Sequence, residues 1–301
     1  MFLHTSIRLE EAIQNASHLF EENGLTTPKL DAEILLTHLL KVRKIDLYLD
    51  HLRYLSEEEA AGYESLVHRR LQGEPVSYIT GEKEFWSLDF MVNRHCLIPR
   101  PETEILIERA REIFHTWKSS SHPYRILDIG TGCGAIAICL AREIPNAHIT
   151  ATDISLDTLT VAKKNAERHK VLEKIEFLRG KLFTPVIERK GYYDLIISNP
   201  PYIARRDLEM LPKEISEYEP RIALSGGDDG LDFYRSIIPE SIRYLAREGW
   251  LSLEVGFAEA HKVIEIVRES KGFEEITAKE DLSGIQRVVS AKKLTAFKFY
   301  G

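Results

Sequence analysis

Asn199-Pro200-Pro201-Tyr202 follows the apolar run Leu195-Ile196-Ile197-Ser198, which reads as a short buried strand. Two consecutive prolines end such a strand and stiffen the chain. They leave an Asn amide at the strand end, beside carbonyls with no proline N–H to compete for them. A side-chain carbonyl and a backbone carbonyl can each accept one hydrogen of a planar NH₂ group. The tetrapeptide therefore points to chemistry on an amide or amino nitrogen. Asn199 and Pro200 would be the gripping acceptors, and Pro201 and Tyr202 further contacts for the group held. The competing reading is a strand-ending turn with no ligand.

A second constellation lies upstream. Ile126-Leu127-Asp128-Ile129-Gly130-Thr131-Gly132-Cys133-Gly134-Ala135 reads as a strand, a Gly-rich turn and a helix start. Glycines let the backbone approach a ligand closely, and a helix N-terminus offers free N–H groups. Gly130, Thr131, Gly132 and Gly134 are thus candidate cofactor contacts. Asp153 ends the next strand, in Ala151-Thr152-Asp153, where its carboxylate can accept from both hydroxyls of a ribose. Gly130, Gly132 and Ala135 also satisfy the G-x-G-x-x-G/A dinucleotide pattern, so the loop alone leaves a nicotinamide cofactor, or a bare tight turn, open. Two facts favour S-adenosylmethionine. Asp128 would repel a pyrophosphate but attract the methionine ammonium, and an amide grip at Asn199 has no role in hydride transfer.

These residues need a framework, and the chain supplies one. From Arg125 onward, strand candidates Ile126–Ile129, His148–Thr152, Ile175–Leu178, Leu195–Ser198, Leu251–Val255, Glu275–Lys279 and Arg287–Ser290 are mostly separated by helical patterns. Such alternation predicts an α/β domain with a mainly parallel sheet covered on both faces. Residues 1–73 read instead as a small helical bundle. Ile7, Ala12, Ile13, Ala16, Leu19 and Phe20 mark one helix, stopped by Gly24, and Leu30, Ile34, Leu35 and Leu39 mark a second. Ser56-Glu57-Glu58-Glu59 is a capping box opening a third, which ends at Gly73. Residues 74–98 form a connector in which Phe85, Trp86, Leu88, Phe90 and Val92 suggest a hairpin. Ile98-Pro99-Arg100-Pro101-Glu102-Thr103-Glu104 leads into a helix through about Trp117, and Ser119-Ser120-Ser121-His122-Pro123 reads as the loop after it. The connection Ile203 to Asp229 is long, and long connections are more often functional.

Composition bounds the rest. The 301 residues suggest about two domains, and 44% hydrophobic content is ordinary for a globular core. No apolar stretch reaches the roughly 18 residues of a membrane span. The start, Met1-Phe2-Leu3-His4-Thr5, resembles neither a signal nor a transit peptide. Cys96, Cys133 and Cys139 form no CxxC pair and fit reduced thiols in a cytoplasmic protein. The eleven histidines make no HExxH, so no metal site is expected. A net charge of −7 argues against a nucleic-acid substrate held by its phosphates.

With the glycine loop and Asn199-Pro200-Pro201-Tyr202 in one domain, the chain resembles the class I, Rossmann-like S-adenosylmethionine-dependent methyltransferases. More closely, it resembles the PrmC/HemK family of protein-(glutamine-N5) methyltransferases acting on peptide-chain release factors. The matching segments run through nearly the whole chain. They include Leu30-Asp31-Ala32-Glu33, Gly73-Glu74-Pro75-Val76, Tyr78-Ile79-Thr80-Gly81, Phe85-Trp86 and the Ile98–Glu104 segment. Glu219-Pro220-Arg221-Ile222-Ala223-Leu224, Gly226-Gly227-Asp228-Asp229-Gly230-Leu231 and Glu254-Val255-Gly256-Phe257 complete the set. There are departures: Glu259 stands where Gln is common, and Gly284-Ile285-Gln286-Arg287 is a looser form of the last motif.

The resemblance implies a seven-stranded methyltransferase domain over 99–301, joined through the hairpin connector 74–98 to an N-terminal bundle that helps dock the release factor. It implies that the glycine loop and Asp153 hold S-adenosylmethionine, with Asp128, Phe183 and Asn199 also on the cofactor. Asn199, Pro200, Pro201 and Tyr202 would hold the glutamine of a Gly-Gly-Gln tripeptide, Tyr202 against its aliphatic stem. Arg100 and Thr103 would close the site, or else cap and pair for the following helix. Glu219 with Arg221 would order the long loop as an ion pair, and Asp228 and Asp229 would be solvated charges. The family often carries an acidic residue where Lys181 stands in Gly180-Lys181-Leu182-Phe183; a lysine cannot accept a hydrogen bond, so adenine must be read by backbone groups or stacking. A monomer is expected. The alternatives are an N6-adenine methyltransferase, whose acceptor is also a planar NH₂ group, and a non-catalytic cofactor-binding module on a release factor.

Overall fold

The computed structural model describes residues 7–116 and 123–295. The opening Met1–Thr5, Trp117 and the Ser119–His122 part of the expected loop lie outside them. The chain separates into two compact units, one up to Glu82 together with Pro212–Tyr218, the other from Lys83 to Leu211 and from Glu219 onward.

The first unit holds α1 (Leu9–Glu22), α2 (Pro28–Leu40), α3 (Lys44–Leu49), α4 (Glu57–Leu71), α5 (Val76–Thr80) and the short α9 (Lys213–Ser216). α1 buries Leu9, Ala12, Ala16 and Phe20, close to the expected face. α4 opens on the anticipated capping box: the Glu59 N–H donates to Ser56 Oγ at 3.1 Å and the Ser56 N–H to the Glu59 carboxylate at 2.9 Å. α2 departs from the apolar pattern. Leu30 is exposed, whereas Asp31 and Glu33 are buried. The cause is charge pairing. Arg70 Nε donates to Asp31 at 2.8 Å and Lys44 reaches Glu33 at 2.7 Å, so both carboxylates are compensated inside the bundle. α3 and α5 were not anticipated, being too short to show a period. α3 begins where the Arg43 N–H donates to Asp46 at 2.9 Å, and α5 ends at Gly81 in the left-handed region.

β1 (Glu82–Phe85), all but its first residue in the second unit, and β2 (Leu88–Met91) make the expected hairpin. Its two turn residues, Trp86 and Ser87, take φ of 54° and 56° without a glycine. Glu104 and Glu143 hold that turn by accepting from the Trp86 N–H and indole at 2.9 and 3.1 Å. Asn165 grips both backbone polar groups of Met91 at the end of β2.

The remaining elements are α6 (Glu104–Thr116), β3 (Tyr124–Ile129), α7 (Ala135–Glu143), β4 (Ala147–Asp153), α8 (Leu156–Arg168), β5 (Ile175–Arg179), β6 (Tyr193–Ser198), α10 (Asp232–Tyr244), β7 (Leu245–Glu254), α11 (Ala260–Glu269), β8 (Phe273–Glu280) and β9 (Gln286–Lys293). Seven strands form one sheet in the order β5-β4-β3-β6-β7-β9-β8, with β9 antiparallel to both neighbours and the other pairings parallel. All seven expected strands are present. β7 starts earlier than predicted, at Leu245, because an irregular polar stretch interrupts its apolar signal before Trp250. The long connection is ordered by short turns, and its two ends pair through Ile203 and Ser225.

Candidate active site

The strand order reverses between β3 and β6, so their carboxyl ends diverge and leave a crevice. Open α/β sheets bind ligands at such a switch point. A cavity of about 430 Å³ lies there, lined by Gly130 and Gly132 after β3, Asp153 after β4, Gly180 to Leu182 after β5, and Ser198 to Pro201 after β6. Arg94 to Leu97 and Ile222 complete other parts of its wall.

Gly130 and Gly132 take φ of 73° and 58°, and a Cβ on either would meet open space. They form a cradle whose backbone a ligand can approach directly. Gly134 serves differently: a Cβ there would meet Ile138 and Ala162 at 3.0 and 3.2 Å, so this glycine lets α7 pack on α8 and does not line the cavity. Thr131 is likewise buried behind the loop, its hydroxyl donating to Asp128 Oδ2 at 2.7 Å.

Asp128 is fully buried, and among the described residues its Oδ1 has no hydrogen-bond partner. Burial pushes its pKa up to about 7 against the Thr131 hydrogen bond. Asp128 does not itself line the cavity; the ammonium group that the methionine end of S-adenosylmethionine would offer could meet this acceptor only by way of the glycine cradle. Asp153 accepts the Gly132 N–H at 3.1 Å on one oxygen and the Ser155 N–H at 2.9 Å on the other. Each oxygen keeps a lone pair for a diol, and burial raises this carboxyl too. Replacing Asp153 with alanine is expected to weaken cofactor affinity about 10- to 100-fold, the worth of one or two hydrogen bonds to a charged group. Calorimetric titration of the cofactor checks this, and unchanged affinity would place the ribose elsewhere.

Asn199, Pro200 and Pro201 all line the cavity. Asn199 Nδ2 donates to Thr103 Oγ1 at 3.1 Å, and Thr103 is buried in the turn before α6. The amide oxygen is thereby left to accept. Glu254, at the end of β7, is buried beside this pair. Thr103 and Asn199 act to lower its pKa, but burial dominates and lifts it to about 7. Neither the Thr103 contact nor Glu254 was assigned to the site from sequence.

Three further expected site residues stand away from the cavity. Phe183 is a core residue, stacked on Tyr244 with ring centroids 4.6 Å apart, and it cannot stack on a ligand there. Tyr202 packs against the same core, its ring near Gly256. Its hydroxyl pKa rises through burial. Arg100 is not in the wall either. It forms an ion pair with the buried Glu219, which also accepts the Ile98 N–H at 3.1 Å, so this pair orders the loop. Asp229 is no merely solvated charge: Arg235 holds it at 2.6 Å, lowering its pKa to about 2, and it accepts the Leu231 N–H at the start of α10. Asp228 meets Arg205 on the surface.

This sheet order, with a glycine loop after β3 and an Asn-Pro-Pro turn after β6, defines a class I methyltransferase. The catalytic domain of human METTL16, solved in complex with a MAT2A 3′UTR hairpin, superposes with a TM-score of 0.56 over 82% of this chain and 86% of that one, at 19% identity. At that identity the likeness concerns the fold. Residues 11–81 match the PrmC N-terminal domain model, and residues 104–217 the methyltransferase small domain model. The chain is 40% identical over 271 residues to the release factor glutamine methyltransferase of Geobacter sulfurreducens, covering 90% of this chain and 92% of that protein. It is 39% identical over 286 residues to the one from Nitratidesulfovibrio vulgaris, covering 95% of each. The chain belongs to the release factor glutamine methyltransferase family.

Proposed function

We infer that this protein transfers a methyl group from S-adenosylmethionine to the side-chain amide nitrogen, N5, of the glutamine in the Gly-Gly-Gln motif of peptide-chain release factors. Family membership supports the substrate. The observation that carries the chemistry is the Asn199 amide at the cavity wall, its nitrogen committed to Thr103. S-adenosylmethionine bound over Gly130, Gly132 and Asp153 would supply a methyl group on a good sulfonium leaving group.

A primary amide nitrogen is a poor nucleophile because its lone pair is delocalised into the carbonyl. Asn199 Oδ1 and the Pro200 carbonyl would accept its two N–H bonds and turn the lone pair toward the methyl group. Positioning of this kind can supply on the order of 7–11 kcal/mol. As the nitrogen gains positive character, both acceptor bonds strengthen, which favours the transition state over the ground state. The proton departs after transfer. Arg100 with Glu219 holds the wall segment, the N-terminal unit docks the release factor, and the protein works in the cytoplasm.

Mass spectrometry of a Gly-Gly-Gln release factor after incubation with enzyme and S-adenosylmethionine tests this reading. One added methyl on the glutamine is expected. No methyl on the protein, with label entering RNA or DNA instead, would favour an N6-adenine acceptor.

A further inference from the structure

Asn199 can grip an NH₂ group only if its oxygen, not its nitrogen, faces the acceptor. The two ends of an amide have nearly the same shape, so packing alone does not choose between them. We propose that Glu254, acting with Thr103, is the positioning residue that fixes which end of the Asn199 amide faces the substrate. This inference rests on the gripping role given to Asn199 above.

β6 and β7 run parallel with Ser198 opposite Leu253, so Asn199, just past β6, stands beside Glu254, the last residue of β7. Asn199 Nδ2 donates to Thr103 Oγ1, and both side chains lie close enough to the Glu254 carboxylate to favour its charged form. Glu254 is only 1% exposed, and among the described residues its Oε2 has no hydrogen-bond partner. A buried carboxylate is costly and persists where donors are turned toward it. When ionised it can only accept. The Thr103 hydroxyl and the Asn199 NH₂ group then point inward, and the Asn199 oxygen points to the cavity.

A protonated Glu254 can donate instead. It could then pair with the Asn199 oxygen, and the flipped amide would meet the substrate NH₂ group with hydrogens of its own. The charged groups around Glu254 are Glu102, which raises its pKa, and Arg287, which lowers it; the partly buried Tyr202 and the buried Tyr234 stand close by, and the Tyr234 hydroxyl donates to the Glu254 backbone carbonyl at 2.8 Å. Burial outweighs these influences and sets the group near 7. Turnover should therefore fall as pH drops through about 7, because the acceptor-only form is lost.

The test uses the full chain with a release factor substrate and saturating S-adenosylmethionine. Glu254→Gln should lower kcat about 10- to 100-fold while cofactor affinity and release factor KM stay within about threefold. The acid limb of the pH–rate profile should vanish with it, which loss of packing alone would not cause. Thr103→Val should lose a similar factor. Combining Glu254→Gln with Asn199→Ala should cost little beyond Asn199→Ala alone, since the residues act as one unit.

Wild-type turnover in Glu254→Gln beside an impaired Asn199→Ala would overturn this inference and leave the gripping role standing. So would losses that multiply in the double variant, or an acid limb that persists in Glu254→Gln. Should Glu254→Gln fail to bind cofactor, Thr103→Val decides alone: unchanged turnover overturns the proposal. Unimpaired Asn199→Ala would remove the gripping role and this inference with it.

Discussion

Replacing Asn199 with alanine is expected to cut methyl transfer about 100-fold or more, while cofactor affinity changes by no more than about threefold. The nucleophile here is an amide nitrogen, and the site offers it orientation. Alanine removes the side-chain acceptor and leaves the backbone carbonyls in place, so one of two N–H bonds loses its partner. The glycine cradle and Asp153, to which we assign the cofactor, follow β3 and β4 and do not depend on the end of β6. Single-turnover transfer to a release factor, at saturating cofactor, separates the two effects. Near-normal single-turnover rates would mean that the Asn199 amide does not hold the reacting nitrogen.

The largest expected effect on stability lies in the other unit. Arg70→Ala should destabilise the helical bundle by about 3–5 kcal/mol, because it leaves Asp31 buried without its cation. Arg70 and Asp31 are both buried, 2.8 Å apart, and Arg70 also reaches Glu214 at 2.8 Å and the Glu74 carbonyl at 3.2 Å. Urea denaturation at neutral pH is the measurement. Pairing Arg70→Met with Asp31→Leu should recover much of the loss, since it removes both charges together. A loss below about 1 kcal/mol in Arg70→Ala would show that water reaches Asp31 and solvates it.

The sheet was legible because parallel strands buried on both faces read as short apolar runs, and each run here ends in a residue of different chemistry: Ile129 before the glycines, Asp153, Ser198 before Asn199. Motifs within a single segment could be read for the same reason. The contacts of Thr103 and Glu254 with Asn199 could not. Both residues meet Asn199 from far along the chain, and their meeting depends on strand register and on the turn before α6, neither of which a local pattern encodes. The one available signal was a carboxylate closing an apolar strand, Leu251-Ser252-Leu253-Glu254, next to the strand that carries the Asn-Pro-Pro turn. Phe183 failed for the opposite reason. It is adjacent in sequence to Lys181 and Leu182, which do line the cavity, but its ring turns into the core and stacks on Tyr244. In α2 an apolar count overlooked Asp31 and Glu33, whose burial becomes tolerable only once Arg70 and Lys44 arrive from other helices.

The parallel pairing of β6 and β7 also sets where this chain can change length. Side chains alternate between faces along a strand, so losing one residue between Trp250 and Glu254 would swing the carboxylate to the wrong side of the sheet and put Val255 in its place. The start of β7 is under no such constraint. There the pairing jumps from Tyr193–Leu245 to Leu195–Trp250, and Glu248 sits at a φ of 63°, an irregularity that already holds surplus chain. Insertions and deletions should therefore be absorbed around Arg247–Gly249 and be lethal to activity four or five residues later, although both places belong to the same strand.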